Sequence, residues 1–192
     1  MSKNRSQLLT KIKRIFIAML AFFPWLPACG SDARPPKPPF FVPFEAQKAG
    51  STFTTVLRVV EHRNYMFALA LGIKKGATRE ATMENARQLS ELAGGNERDK
   101  NGKPLSYGVS IPVKLKVAVI DSTGERTIYD KEIYQEEVTG GGSRGVTKLI
   151  DVIELNRGQY RINIQSLKDI PELAESPITF GIYGRSNTNP ID

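Results

Sequence analysis

Between residues 53 and 182 the chain repeatedly alternates apolar and polar side chains in short runs separated by turn-forming residues. Successive side chains of a strand project to opposite faces, so a run of this period buries one face and wets the other, which a helix of the same sequence could not do. Phe53, Thr55, Leu57 and Val59 form one series, and Tyr65, Phe67, Leu69, Leu71 and Ile73 a second. A third comprises Ile111, Val113, Leu115, Val117 and Val119, with Lys114 and Lys116 between them. Pro112 has no N–H to give to a ladder, which sets the start of that strand at an edge or a bulge. Thr127 to Tyr134 follows across the turn Asp121-Ser122-Thr123-Gly124. Val146 to Leu155 and Tyr160 to Ile164 read as a hairpin closed by Asn156-Arg157-Gly158, and Ile178, Phe180 and Ile182 as a last strand. About seven short strands with turns between them predict an all-β fold, an antiparallel immunoglobulin-like β-sandwich.

The segment Leu155-Asn156-Arg157-Gly158-Gln159-Tyr160-Arg161-Ile162 looks like a tyrosine corner, in which the ring packs in the core while the hydroxyl bonds to backbone nearby. One stretch departs from the period of two. From Thr78 to Ala93, Met83, Ala86, Leu89 and Ala93 fall at helical spacing, Glu84 can reach Arg87 or Gln88, and Gly94-Gly95 ends the run. One inserted helix, followed by the polar loop Asn96 to Lys103, is therefore expected to elaborate the sandwich, covering a sheet edge or meeting a partner.

The first 28 residues are of another kind. They hold Lys3, Arg5, Lys11, Lys13 and Arg14 and no acid, followed by an apolar run from Ile15 to Leu26 and the small residue Ala28. That run is about half of the roughly 20 helical residues needed to span a bilayer, and the three-part pattern is that of an export signal. Of 27 basic residues in the chain, 22 remain beyond the leader to face 20 acidic ones, so most of the net charge of +7 belongs to the leader. Leu26-Pro27-Ala28-Cys29-Gly30 resembles the lipobox of bacterial lipoproteins. The resemblance implies cleavage between Ala28 and Cys29, acylation of Cys29, and, with Gly30 next, the periplasmic face of the outer membrane. Several acyl chains suffice for stable anchoring where one is marginal, and a thiolate is the nucleophile such acylation requires. Cys29 is the only cysteine, so no internal disulfide can form. Residues 29–39 then read as a lipidated cysteine and an extended Pro-rich tether, Arg34-Pro35-Pro36-Lys37-Pro38-Pro39, and residues 40–192 as the sandwich domain.

Chemistry-bearing constellations are sparse. The lone histidine, His62, between Glu61 and Arg63, is read as a solvated turn residue. No nucleophile-elbow signature surrounds a serine, and soft metal ligands are too few for zinc or copper. Glu136 with Glu137, and Glu172 with Glu175, are paired carboxylates read as a solvated acidic face, because strand neighbours point to opposite sides. Gly140-Gly141-Gly142-Ser143-Arg144-Gly145 lacks the Lys-Ser/Thr ending of a phosphate cradle and leads into a strand, so it is read as a mobile hairpin loop. Lys114, Lys116, Arg161 and Lys168 are the basic candidates for a nucleic-acid face, which the near-neutral charge beyond the leader and an envelope location argue against. These readings predict a non-enzymatic protein with no cofactor and no nucleic-acid partner.

Pro43-Phe44, the strand Tyr65 to Leu71, Gly108-Val109-Ser110-Ile111-Pro112-Val113 and Leu155 to Tyr160 resemble, across Phe44 to Tyr183, small proteobacterial lipoproteins grouped as a domain of unknown function. The resemblance implies fold and location rather than activity. A small anchored sandwich without catalytic residues suits protein binding, most concretely as an immunity lipoprotein that neutralises an antibacterial effector. The alternatives are an accessory subunit of an envelope or secretion assembly, and a carbohydrate or lipid binder. Arginines on the three irregular segments, Arg87 of the helix, Arg98 of the polar loop and Arg144 of the glycine-rich loop, are the candidate partner contacts.

Overall fold

The computed structural model describes residues 34–95, 97–103, 105–142 and 145–184. Nine strands are found among them: β1 Phe40–Pro43, β2 Thr52–Val59, β3 Arg63–Gly72, β4 Val113–Asp121, β5 Gly124–Ile133, β6 Glu137–Gly142, β7 Gly145–Leu155, β8 Gly158–Ser166 and β9 Ile178–Gly184. One helix, α1 Arg79–Ala93, lies between β3 and β4, and a 3-10 turn, Pro171–Leu173, precedes β9. The strands make two antiparallel sheets, β1-β9-β3-β7-β6 and β2-β8-β4-β5, packed as an all-β sandwich. No helix among the described residues is long and apolar enough to cross a membrane.

The alternation read from the sequence sets which face is buried. Tyr65, Phe67, Leu69 and Leu71 of β3 meet Leu57, Leu115, Val117, Ile162 and Ile164 of the opposite sheet in one core. Phe180 of β9 sits among Phe44, Phe53 and Phe67 at ring-centroid distances of 6.5, 6.5 and 6.4 Å. Each such buried side chain contributes about 1.5–3 kcal/mol of transfer free energy. On the solvent side of the four-stranded sheet, Lys114 pairs with Asp130 at 3.4 Å and Arg161 with Glu125 at 2.7 Å.

The two strands beyond the expected seven are β1 and β6. The first is four residues long, too short to display a period, and follows the prolines. The second contains Gly140, Gly141 and Gly142, which the sequence suggests are part of a mobile loop but which pair with Thr147, Val146 and Gly145 of β7. Backbone hydrogen bonds to a neighbouring strand place these glycines in the sheet despite their low strand propensity. The third run also starts later than expected: Ile111 and Pro112 precede β4, and the Pro112 carbonyl accepts from Leu167 N at 2.9 Å.

A second correction concerns connectivity. Asn156-Arg157-Gly158 does not close a hairpin, since β7 belongs to the five-stranded sheet and β8 to the four-stranded one. The segment is an arch between the sheets. Val60-Glu61-His62 is a second arch, taking β2 of one sheet to β3 of the other. Each arch is pinned by a tyrosine four residues downstream of a carbonyl it bonds: Tyr160 Oη donates to Asn156 O at 3.0 Å, as the sequence led us to expect, and Tyr65 Oη donates to Glu61 O at 3.0 Å. Arg157 Nε donates to Val60 O at 3.0 Å and joins the two arches.

Strand register divides the sandwich into two ends. At the corner end lie the arches, with Val59 opposite Gly158, Arg63 opposite Leu155 and the Asp121–Gly124 turn beside them. At the other end, Gly72 pairs with Gly145, Leu71 with Ile178, and Val113 with both Ser166 and Ile133. The chain enters at the corner end. Arg58 N, on the open edge of β2, donates to Pro36 O at 2.8 Å, and Phe40 then stacks on Phe53 at 6.1 Å. Arg34 to Pro39 therefore includes a stretch lying along β2 rather than a spacer free throughout.

Candidate functional site

The helix, the polar loop and the β6–β7 hairpin are far apart in sequence, and the fold gathers them at the end opposite the corners. α1 begins at Thr78, whose side chain accepts from Ala81 N at 3.2 Å, and stops at Gly94, which takes the left-handed conformation with φ 103°. Its C-terminal half is packed in the core, with Leu89 and Ala93 buried against β7 and β6. Its N-terminal half is held by polar bonds, Gly76 N to Thr82 Oγ1 at 3.0 Å and Asn85 Nδ2 to Lys74 O at 2.9 Å, and Met83 of the same predicted apolar stripe is 62% exposed. The chain then doubles back, with Asp99 N donating to Lys103 O and Leu105 N to Glu97 O.

Residues 105–112 form a strap across the helix terminus. Val109 N donates to the Leu92 carbonyl at 2.7 Å, satisfying one of the free acceptors at the helix end. Gly108 passes so close that a Cβ there would fall 2.2 Å from the Ala93 carbonyl carbon, and one on Gly94 would fall 2.6 Å from Gly108 N. The strap is fixed from below by Lys148. This residue occupies an inward position of β7, opposite Leu69 and Val138, and its amine donates to Tyr107 O at 2.9 Å and also to Val109 O. Its charge partner is Glu136, at 3.7 Å, with both side chains wholly buried. Glu136 Oε2 also accepts from Ile111 N at 2.9 Å, whereas its Oε1 is buried without a partner.

The reading of Glu136 as part of a solvated acidic face is thereby overturned. The side chain turns inward just before β6 and meets the one lysine among the buried residues, because a buried ammonium must have acceptors or lose its charge. Burial lowers the Lys148 amine from its usual value, while Glu136 pulls in the opposite direction. Glu137 points elsewhere, toward Arg98 at 3.8 Å. Glu172 is exposed, and Glu175 pairs with Lys74, which lowers its carboxyl below the usual range.

On α1 lies Met83, on the strap Leu105 and Tyr107, and beside it Tyr134, whose carbonyl accepts from Ser110 Oγ; these are four of the six large apolar side chains left exposed among the described residues. Open grooves of about 180 Å³ and 360 Å³ flank α1, the first lined in part by Lys74, Asn85, Gln88 and Glu175, the second by Glu91, Gly94, Glu97 and Ser106. Of the candidate arginines, Arg87 is exposed on α1 with its guanidinium held by Glu84, at 2.7 Å, and by Glu91. Arg98 donates to Gly102 O at 2.7 Å and Val138 O at 3.2 Å, so it ties the polar loop to β6. Arg144, and likewise Ala28 and Cys29, lie outside the described residues. His62 is at the β2–β3 arch, exposed, with Nε2 2.7 Å from Glu154 Oε1. Among the described residues there is no group of three or more metal-ligating side chains.

The sequence carries a signal for the strap's anchor, since Val146, Lys148 and Ile150 share the phase of a buried face. A bulge between Phe67 and Ala68 of β3 hides it, because opposite the bulge Leu149 and Ile150 are both apolar and the alternation is lost.

No curated protein matches the chain. Among solved structures, a protein of Sulfurospirillum deleyianum is similar at 20% identity with a TM-score of 0.63, covering 77% of this chain and 98% of that one. This likeness supports the fold alone. A β-glucosidase of Paenibacillus barengoltzii is matched over 10% of its length and 68% of this chain, at 15% identity and a TM-score of 0.24. A family model described as Domain of unknown function (DUF5625) matches residues 41–184, a span running from β1 to the end of β9 and taking in both corners, the helix and the strap, and the chain belongs to that family.

Proposed function

We propose that the chain is a non-catalytic lipoprotein of the bacterial envelope, anchored through acylated Cys29 to the periplasmic face of the outer membrane, that binds a protein partner with the end carrying α1 and the strap. Its most concrete form is an immunity protein that neutralises an antibacterial effector reaching the periplasm. The observation that supports this reading is the separation of the two ends. The tether joins at the corner end, at Arg58, while the helix, the polar loop and the exposed Met83, Leu105 and Tyr107 are built at the other, which points away from any surface the tether is fixed to. Exposed aromatic and long apolar anchors on a rigid support are what a protein interface needs, and no titrating or metal-binding group is required.

The test is capture from envelope extracts with the acylated protein in three forms: wild type, Met83→Glu with Leu105→Glu, and Lys116→Glu on the far face of the four-stranded sheet. A protein retained by the first and third and lost by the second, and toxic when expressed in the periplasm of cells lacking the lipoprotein, is the expected result. Retention unchanged by the Met83 and Leu105 substitutions overturns the assignment of the surface. A captured set of structural envelope proteins without toxicity replaces the immunity role by that of an assembly subunit. Mass spectrometry of the N-terminal peptide reports on Cys29 independently.

A further inference from the structure

We propose that in the anchored molecule the corner end rests on the bilayer, with Lys37, Arg58 and Arg157 set against the headgroups of anionic phospholipids. This rests on the acylation of Cys29 put forward above. Pro36 is bonded to Arg58 at the corner end, and the seven peptide steps from Cys29 to Pro36 extend at most about 25 Å. The anchor therefore brings this end within reach of the membrane.

The charges at this end are arranged for such a contact. Its acids are already engaged: Glu61 pairs with Arg63 at 3.0 Å, Glu154 with His62 at 2.7 Å and Glu125 with Arg161 at 2.7 Å, while Asp121 accepts from Thr123 N at 2.8 Å with Arg126 near it. Lys37, Arg58 and Arg157 form no ion pair among the described residues. The two arginines line an open groove of about 370 Å³ with Val59, Val60, Gly158 and Gln159, and the Arg58 Nε there is buried without a hydrogen-bond partner. A guanidinium pair beside the half-buried Val60 is matched by a phosphodiester headgroup, whose oxygens accept from the fork while its glycerol carbons meet that valine. Tethering raises the local concentration of headgroups, so contacts too weak to recruit the domain from solution suffice to orient it.

The experiment uses the acylated full-length lipoprotein in vesicles, labelled with a fluorophore at Asn156→Cys on the corner end or at Asn101→Cys on the polar loop; the Cys29 thiol, being acylated, takes no label. Vesicles contain phosphatidylcholine with or without phosphatidylglycerol, and a headgroup-nitroxide lipid as quencher. The expected result is stronger quenching at Asn156→Cys than at Asn101→Cys, a difference that shrinks without phosphatidylglycerol or in high salt. The substitution Lys37→Gln, at an exposed position, should lower the equilibrium constant for the surface-bound state by about fivefold, with Arg58→Gln as a further variant once its circular dichroism matches the parent. Equal quenching at the two positions, or quenching indifferent to phosphatidylglycerol, overturns the proposal. An unacylated Cys29 in the mass spectrum overturns the anchor reading and this proposal together, and is distinguishable from the first outcome.

Discussion

Lys148 stands between Val146 and Ile150 on the buried side of β7, where the neighbouring positions are apolar, and its ammonium is kept by two carbonyls of the strap and by Glu136. Desolvation of such a pair consumes most of its Coulombic attraction, so the pair specifies where the strap lies more than it adds to stability. Removing one partner is another matter, because the other is left charged and buried. Lys148→Met is expected to lower the urea-unfolding free energy by about 3–5 kcal/mol, and adding Glu136→Gln to it should recover part of that loss, since the amide oxygen still accepts from Ile111 N. If Lys148→Met unfolds at the parent's urea midpoint, the clip has no structural role. A lysine in a strand reads from sequence as a wetted position, and only the phase of its neighbours says otherwise.

At the scale of elements, α1 and the strap form one unit in which two backbones touch. Gly94 and Gly108 both hold positive φ, 103° and 58°, and each would drive a Cβ into the other's segment. Gly108→Ala is therefore expected to cost about 1–3 kcal/mol through left-handed strain and overpacking. The strap should also lift from the helix, which would appear as faster hydrogen exchange at the Val109 amide while core amides of β3 and β8 exchange as before. Unchanged exchange at Val109 would mean that the helix end is closed without the strap. The existence of α1, its cap and its glycine stop were legible in the sequence because they are local signals. That the helix terminus is covered by Gly108, fourteen residues later, was not, since no local pattern records which loop crosses it.

At the scale of the whole molecule, burial raises the phenols of Tyr65 and Tyr160, in the core, and of Tyr183, against Phe41 on the outer face of the five-stranded sheet, above the ordinary 10.0, and burial together with Asp151, to which Tyr129 donates across the sandwich, raises Tyr129 as well. A phenol whose folded value is raised contributes stability that is whole below the unfolded value and is lost as pH climbs through the folded one. Lys148 acts with the opposite sign: its lowered amine favours folding increasingly as pH rises toward its ordinary 10.5. One amine is outnumbered by four phenols, so stability should fall above pH 10, with phenolate absorbance and far-ultraviolet circular dichroism changing together in one cooperative step. Phenols that titrate at their ordinary value while the circular dichroism holds would contradict this packing.

The period of two, the turn at Asp121 and the capped helix are set by interactions within a few residues, and for that reason the amino-acid sequence alone determined an antiparallel sandwich with one inserted helix. The Leu155 to Tyr160 corner was legible for the same reason, its hydroxyl reaching only to Asn156. Tertiary structure decided what depends on partners distant along the chain. It placed the glycines of β6 in a ladder with β7, turned Asn156-Arg157-Gly158 into an arch between sheets, and buried Glu136 against Lys148. It also set Pro36, bonded to Arg58, and the helix at opposite ends, because the direction in which each strand leaves its sheet is fixed by long-range pairing and not by the residues at its own ends.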